Sequence, residues 1–181
     1  MPKTRKRRVY TKQEYLSGDG MLTAVWGPSM WHYLHTMSFN YPAQPSAEEK
    51  RYYRDFIISL RHVLPCKHCR SNLEKNFKAL PLRMTDMANR ESFSRYVYKL
   101  HELVNKMLGK RSGLSYCDVR ERYEHFRSRC VETTPTKVER GCTEPLYGKK
   151  AKCVIQIVPQ ERKCDTIQID KRCVKTRKRR R

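Results

Sequence analysis

The sequence predicts an all-α fold: a four-helix bundle with a short fifth helix, followed by a small β-rich extension. Apolar residues recur at helical spacing in several long segments between residues 21 and 131. Short connections separate those segments, which is typical of neighbouring helices packed as a bundle. After residue 131 the helical spacing gives way to short runs of β-branched residues.

The first two helices have clear sequence limits. We expect the first helix around residues 28–39, ended by Tyr41 and Pro42. Ser46 and Glu49 form a capping box, in which the two residues satisfy free amides at the start of the second helix. That helix ends at Pro65, and its core-facing residues are Tyr53, Phe56, Ile57, Leu60 and Leu64.

The remaining helices follow the same logic. A third helix is predicted to begin at the Cys66-Lys67-His68-Cys69 motif and to bury Leu73 and Phe77. A short fifth helix is expected around residues 118–129. The fourth helix ends at Gly109, and its apolar positions are Phe93, Tyr96, Val97, Leu100, Val104, Met107 and Leu108.

The last fifty residues differ in character. Two β-rich runs, 153–158 and 164–169, are predicted to form a small hairpin after a Thr- and Pro-containing linker. Four cysteines lie in this part without zinc-knuckle spacing, which favours disulfides: Cys142, Cys153, Cys164 and Cys173. We therefore expect a basic disordered tail over 1–20, a helical domain over 21–131, an extension over 132–174 and a basic tail over 175–181.

The charge of the chain is high and uneven. The formal net charge is +22, and 21 of the 40 Lys and Arg residues lie in residues 1–20 and 132–181. Such tails are either solvated surface or a signal for nucleic-acid contact or import, and the sequence leaves both open. No apolar run is long enough to span a bilayer and the N-terminus is not signal-like, which predicts a soluble chain without a cleaved signal.

The Cys66/Cys69 pair indicates redox chemistry. At a helix N-terminus, unpaired amides and the helix dipole stabilise a thiolate, and Lys67, His68 and Arg70 add positive charge. A nucleophilic thiolate is what disulfide exchange requires. The alternatives are an inert disulfide or half of a zinc site completed by Cys117 and Cys130. We favour the redox interpretation, and we expect no metal.

Two helix faces indicate a bound heterocycle. Trp31 and His35 are four residues apart, as are His101 and Asn105, so each pair shares one face of a helix. Such faces offer ring stacking and hydrogen bonds to a flat ligand. A dithiol close to them suggests electron transfer from thiols to a bound cofactor.

These motifs together resemble the FAD-linked sulfhydryl oxidases of the Erv/ALR type, in particular those of large DNA viruses. The resemblance covers about residues 26–130 and rests on Trp31, Leu34-His35-Thr36, Tyr41-Pro42, Pro65-Cys66…Cys69 and His101…Val104-Asn105…Leu108-Gly109-Lys110. The chain departs from the family pattern at Glu102, where an asparagine is usual.

The resemblance implies a helical bundle around FAD and assigns roles to individual residues. Cys69 is then the cysteine nearest the flavin, and Cys66 exchanges with incoming protein thiols. Electrons pass through FAD to oxygen, giving hydrogen peroxide. Cys117 and Cys130 are expected to form a structural disulfide. The implied cofactor-binding residues are Gly27, Trp31, His35, Cys69, His101, Val104, Asn105, Leu108, Lys110 and Tyr123.

Assembly, location and the other function classes complete the expectations. The resemblance implies a homodimer formed by the first two helices. It favours a virion or host-cytoplasm location, with the mitochondrial intermembrane space or the secretory pathway as the alternative. Two other classes are compatible with the composition: a zinc-stabilised basic nucleic-acid-binding protein, and an inert disulfide-stapled virion protein.

Overall fold

The computed structural model describes residues 11–129 and the backbone of residues 144–145. The chain divides into two compact units, Met1–Ala151 and Lys152–Arg181, and the described residues lie in the first. That part is mostly helical, as predicted. The helices are α1 Lys12–Leu16, α2 Thr23–Asn40, α3 Ala47–Val63, α4 Lys67–Ala79, a 3-10 turn Met84–Met87, α5 Arg90–Met107 and α6 Tyr116–Glu124.

Side chains that cap the helices explain where they begin. The predicted capping box of Ser46 and Glu49 is confirmed at the start of α3. Asn89 accepts a hydrogen bond from the amide of Ser92 at the start of α5, and Ser115 forms a second box with Asp118 at α6. Each cap satisfies amides that a helix N-terminus leaves without partners.

The larger of two buried clusters lies between the helices, and the smaller one contains Phe39, Tyr116 and Val119. Tyr41, Ile57, Met87 and Phe93 are fully buried in the larger cluster, and α5 packs against α2, α4, α6 and the 3-10 turn. The Tyr41 hydroxyl donates to the carbonyl of Met87 at 2.9 Å, so the chain leaving α2 is tied to the turn before α5. This packing brings the faces of α2 and α5 together.

The limits of three predicted elements are wrong. Helix α2 begins at Thr23 rather than near residue 28, because Pro28 removes only one backbone hydrogen bond near the helix start. Helix α6 spans Tyr116–Glu124 rather than 118–129, since its cap is Ser115. The predicted disordered tail contains α1, and the reason is a capping box formed by Thr11 and Glu14.

A short strand pair follows α6. Ser128–Arg129 (β1) pairs antiparallel with Glu144–Pro145 (β2), Ser128 opposite Pro145 and Arg129 opposite Glu144. The predicted hairpin, the four extension cysteines, Cys130 and both basic ends lie outside the described residues. Among the helices of the described part, none has the length and apolar character needed to cross a membrane.

Candidate functional site

A disulfide bond between Cys66 and Cys69 stands at the start of α4, with Cα atoms 5.1 Å apart. Cys66 is itself the N-cap residue, and its Sγ accepts a hydrogen bond from the Cys69 amide at 3.1 Å. The Cys66 side chain is buried and that of Cys69 is half-buried. The sulfurs therefore lie where the free amides of α4 favour negative charge.

The basic residues around the motif have different surroundings. Lys67 and His68 are exposed beside the disulfide. Arg70 instead donates from its guanidinium to the carbonyl of Leu64 at 2.6 Å. Arg70 thus ties the end of α3 to α4, a bracing role that the sequence did not predict.

The backbone of residues 19–21 passes over Pro65–Lys67. The Met21 amide donates to the Pro65 carbonyl at 2.7 Å, and the Lys67 amide donates to the Asp19 carbonyl at 3.0 Å. Gly20 consequently forms an antiparallel bridge with Cys66. We call Asp19–Met21 the strap. The sequence analysis placed Asp19 and Gly20 at the end of a tail and Met21 at the start of the helical domain, and it missed this contact.

Thr23 is a second residue that the sequence analysis missed. Its Oγ1 lies 3.4 Å from Sγ of Cys69. Gly27 lies one helical turn later, and a Cβ added there would lie 3.2 Å from Cγ2 of Thr23, which is a tight contact. Gly27, predicted as a cofactor contact, therefore leaves space beside Thr23. The four-residue spacing of Thr23 and Gly27 was the available signal.

The predicted heterocycle-binding residues meet in one ring cluster. The rings of Trp31 and His101 are stacked, with centroids 4.0 Å apart and planes 6° from parallel. His35 Nε2 and His101 Nδ1 share a hydrogen bond of 3.0 Å. Tyr123 lies on the far side of His35, with ring centroids 5.2 Å apart. Helices α2, α5 and α6 thus each contribute rings to the ring cluster of Trp31, His35, His101 and Tyr123.

Burial keeps both histidines neutral. The pKa of His35 is lowered to about 3, mainly by burial and to a lesser degree by electrostatic interaction with His101, His32 and Arg122. Burial also lowers the pKa of His101 to about 4, although the Glu102 carboxylate acts in the opposite direction. Nδ1 of His35 is buried without a hydrogen-bond partner among the described residues. Such an orphaned group is typical of a site built for a ligand.

The end of α5 carries the other predicted contacts. Asn105 and Val104 are half-buried, whereas Leu108 and Lys110 are exposed. The Asn105 amide group donates to the Glu102 carboxylate at 3.0 Å, so the unusual residue at 102 positions Asn105. The Lys110 amide donates to the Asn105 carbonyl at 2.8 Å.

Cys117 is the third cysteine among the described residues. Cys117 is exposed on α6 and is not in a disulfide with any described residue. Its predicted partner Cys130 lies outside the described residues, so this pairing stays a prediction. Within residues 11–129 no three His, Cys, Asp or Glu side chains are grouped as metal ligands would be.

Comparison with known sequences points to one family. The sequence profile of the Erv1 / Alr family matches residues 28–130. A probable FAD-linked sulfhydryl oxidase of Acanthamoeba polyphaga mimivirus is 33% identical over 99 residues, which cover 55% of this chain and 68% of that protein. The FAD-linked sulfhydryl oxidase of African swine fever virus (isolate Pig/Kenya/KEN-50/1950) is 28% identical over 107 residues, covering 59% and 87%.

Cellular relatives and solved structures agree with this match. The mitochondrial FAD-linked sulfhydryl oxidase ERV1 of Saccharomyces cerevisiae is 32% identical over 84 residues, 46% of this chain and 43% of that protein. The chain thus spans less than half the length of this cellular relative. The crystal structure of the FAD binding domain of yeast Erv1 superposes with a TM-score of 0.52 at 28% identity, covering 57% of this chain and 94% of that one.

Proposed function

Because the chain belongs to the Erv1/Alr family, the family of FAD-linked sulfhydryl oxidases, we propose that it forms disulfide bonds in protein substrates with FAD as its cofactor. The observation that carries the proposal is the placement of a disulfide and a ring cluster along one helix. Thr23 of α2 contacts Cys69, and Trp31 lies eight residues later, about 12 Å along the helix axis. One ligand lying along α2 would therefore be within reach of both groups.

The residues of the ring cluster fit a flavin. A flat heterocycle needs ring faces to stack on and polar atoms at its edge. The Trp31 and His101 rings supply such faces, and the unpartnered Nδ1 of His35 supplies a polar atom in a buried setting. We assign the isoalloxazine contacts to Trp31, His35, His101 and Asn105, and the adenosine and phosphate contacts to Lys110 and Tyr123. Gly27, Val104 and Leu108 are proposed as further FAD contacts.

The reaction begins at Cys66. A substrate thiolate attacks Sγ of Cys66 and forms a mixed disulfide, and the Cys66–Cys69 bond breaks so that Cys69 leaves as a thiolate. A second substrate thiolate then attacks the substrate sulfur of that mixed disulfide. The substrate leaves oxidised, and Cys66 and Cys69 are left reduced.

The protein stabilises the charge on Cys69 in two ways. The N-terminal amides of α4 favour an anion at this position. The Thr23 hydroxyl, 3.4 Å away, is able to donate to the sulfur. Bound FAD supplies a two-electron acceptor for this reduced pair and a route to oxygen, with hydrogen peroxide as product.

The absorption spectrum of the purified full chain tests the proposal first. We expect flavin absorption at about one FAD per chain, released by denaturation and filtration, together with oxygen consumption that depends on an added dithiol. A colourless protein with stoichiometric zinc would contradict the proposal and support the nucleic-acid-binding alternative. A colourless, metal-free protein without thiol-dependent turnover would support the inert structural alternative.

We also propose that two chains pair through α2 and α3 in a closed four-helix arrangement. Exposed apolar side chains lie on these two helices, and the ring centroids of Tyr33 and Phe56 are 6.2 Å apart. A shallow groove of about 360 Å³ next to them is lined by Trp26, Ser29, Met30, Tyr33, Leu60, Val63, Leu64 and Pro65. Symmetric dimers are the commonest soluble oligomers, and apolar surface of this kind favours one.

Truncation after Cys130 tests whether the proposed dimer depends on the C-terminal segment. Sedimentation should show a dimer for both the full and the truncated chain, with unchanged FAD content and dithiol oxidation. A monomer after truncation would place the tail in the interface. Loss of activity toward protein thiols alone would assign the tail cysteines to electron relay.

The basic tails remain candidates for nucleic-acid contact, and a virion or host cytoplasm remains the proposed location.

A further inference from the structure

The strap pairs with the active-site motif as one strand pairs with another. The Met21 amide donates to the Pro65 carbonyl and the Lys67 amide donates to the Asp19 carbonyl. Gly20 and Cys66 face each other between these two hydrogen bonds. In an antiparallel pair this is the arrangement in which the two facing residues do not bond each other and their side chains lie closest.

A glycine is required at residue 20 because the strap backbone passes close to the backbone of Pro65 and Cys66. Its φ of +99° lies in the left-handed region, and a Cβ at this residue would stand 2.5 Å from the Pro65 carbonyl oxygen. The strap therefore places no side chain opposite Cys66. Cys66 is only 8% exposed in this arrangement, although it must meet a substrate thiol.

Resting on the proposed function, we propose that an extended segment of the substrate protein displaces the strap and pairs with Pro65–Lys67 in the same register, with its cysteine opposite Cys66. The residue after that cysteine then donates its amide to the Pro65 carbonyl. The carbonyl of the residue before it accepts from the Lys67 amide. The two hydrogen bonds that hold the strap are exchanged for two equivalent ones, so displacement leaves no main-chain group of the motif unpaired.

The register also fits the chemistry. The clash of a Cβ at Gly20 belongs to its φ of +99°, and an extended cysteine of negative φ does not repeat it. Facing residues of a regular antiparallel pair have Cβ atoms about 4.5–5.5 Å apart, and a disulfide needs about 3.5–4.5 Å, so a small approach suffices. The substrate thiolate attacks Cys66 Sγ, a bond forms between these sulfurs, and the Cys66–Cys69 bond breaks with Cys69 leaving as a thiolate. Recognition then depends on main-chain groups. The substrates are unfolded or loop segments of varied sequence, without proline after the cysteine.

Methylated peptides test the register. The probe is the capped pentapeptide Thr-Val-Cys-Val-Thr, with its cysteine activated as a mixed disulfide with thionitrobenzoate. The protein is the full chain carrying Cys69→Ser, and mass spectrometry of digested samples measures peptide attached to Cys66. N-methylation of the valine after the cysteine should slow attachment about fivefold or more, because it removes the amide that bonds Pro65.

N-methylation of the cysteine amide is the matched control. In this register that amide points away from Pro65–Lys67, so the rate should stay within about twofold of the unmodified peptide. Equal rates for the two methylated peptides would overturn the proposed pairing. Because this readout requires neither flavin nor oxygen, its failure is distinguishable from failure of the oxidase proposal.

Loosening the strap is an independent test. Gly20→Ala introduces both the left-handed strain and the clash with Pro65, and it should accelerate attachment of the unmodified peptide to Cys66 severalfold. Gly18→Ala is the control, since a Cβ at Gly18 meets nothing within 4 Å. An unchanged or slower rate in Gly20→Ala would show that the strap does not occupy the substrate position.

Discussion

The disulfide end of the site is held by main-chain groups, whereas the ring end is assembled from side chains of three helices. At the disulfide, backbone hydrogen bonds from Met21 and Lys67 fix the motif, and the cap of α4 is Cys66 itself. At the ring end, the stack of Trp31 on His101 and the bond from His101 to His35 depend on side-chain identity. From this difference we infer that reactivity and cofactor affinity have separate structural supports.

The two ends also differ in the charge state that they favour. The sulfurs lie at a helix N-terminus beside exposed Lys67 and His68, where a thiolate is stabilised. The histidines lie in a setting that lowers their pKa values and keeps them neutral. Substitutions at the disulfide end should therefore change turnover, whereas substitutions at the ring end should change flavin content. The following predictions test this division.

Cys69→Ser should have the largest effect and only at the disulfide end. Without Cys69 there is no Cys66–Cys69 disulfide for a substrate thiolate to attack, so turnover should fall by roughly a thousandfold or more. FAD content, measured from the absorption spectrum, should remain near that of the unsubstituted chain. Ser71→Ala, an exposed residue of the same helix, is the control and should change neither quantity. Loss of flavin in Cys69→Ser would show that the two ends are not separate.

His101→Ala should have the next largest effect, and at the ring end. It removes the ring that stacks on Trp31 and the hydrogen bond to His35, so the groups proposed to hold FAD lose their positions. A loss of about 2–3 kcal/mol of binding free energy corresponds to roughly a 30- to 160-fold rise in the FAD dissociation constant. Peptide attachment to Cys66 in the Cys69→Ser background should not change. His62→Ala, exposed on α3, is the control. A change in Cys66 reactivity would contradict the division.

Lowering the pH should destabilise the folded chain, because His35 and His101 are neutral in the fold and would have to be protonated. Burial lowers the pKa of His35 to about 3 and that of His101 to about 4, while both are near 6.5 in the unfolded chain. Between these values the unfolded state binds more protons, so the free energy of unfolding falls as the pH is lowered below about 6.5.

From pH 7 to pH 5 the expected loss is on the order of 1–2 kcal/mol for each of the two histidines. Denaturant titrations at the two pH values measure it. Replacing His35 by Asn should reduce the pH dependence, whereas the exposed His62→Asn should leave it unchanged. Equal pH dependence in all three proteins would show that His35 is not the group responsible.

Thr23→Val should have the smallest effect, at the disulfide end. In a Cys66→Ser background Cys69 is a free thiol, and losing the Thr23 hydroxyl should raise its pKa by up to about one unit, since one hydrogen bond to a thiolate is removed. The pH dependence of Cys69 alkylation measures the shift. Thr23→Ser should behave as the unsubstituted residue does. Thr36→Val, elsewhere on α2, is the control for a change in the helix.

Helices, caps and the position of the motif followed from local sequence. The Ser46/Glu49 box, the spacing of apolar residues in α3 and α5, and a helix starting at Cys66 all depend on residues within a few positions of one another. The predicted starts of α2 and α6 were wrong by five and two residues, although the signal at α6, the cap Ser115, is local as well.

What the sequence determined by itself is which residues share a helix face: Trp31 with His35, and His101 with Asn105. Only the tertiary structure decided that Trp31 stacks on His101 and that Thr23 reaches Cys69 46 residues away. Gly20 is the clearest case, because its backbone conformation is needed only where the strap meets Pro65. Periodicity encodes neighbours along a helix, whereas contacts between distant segments depend on how the helices pack.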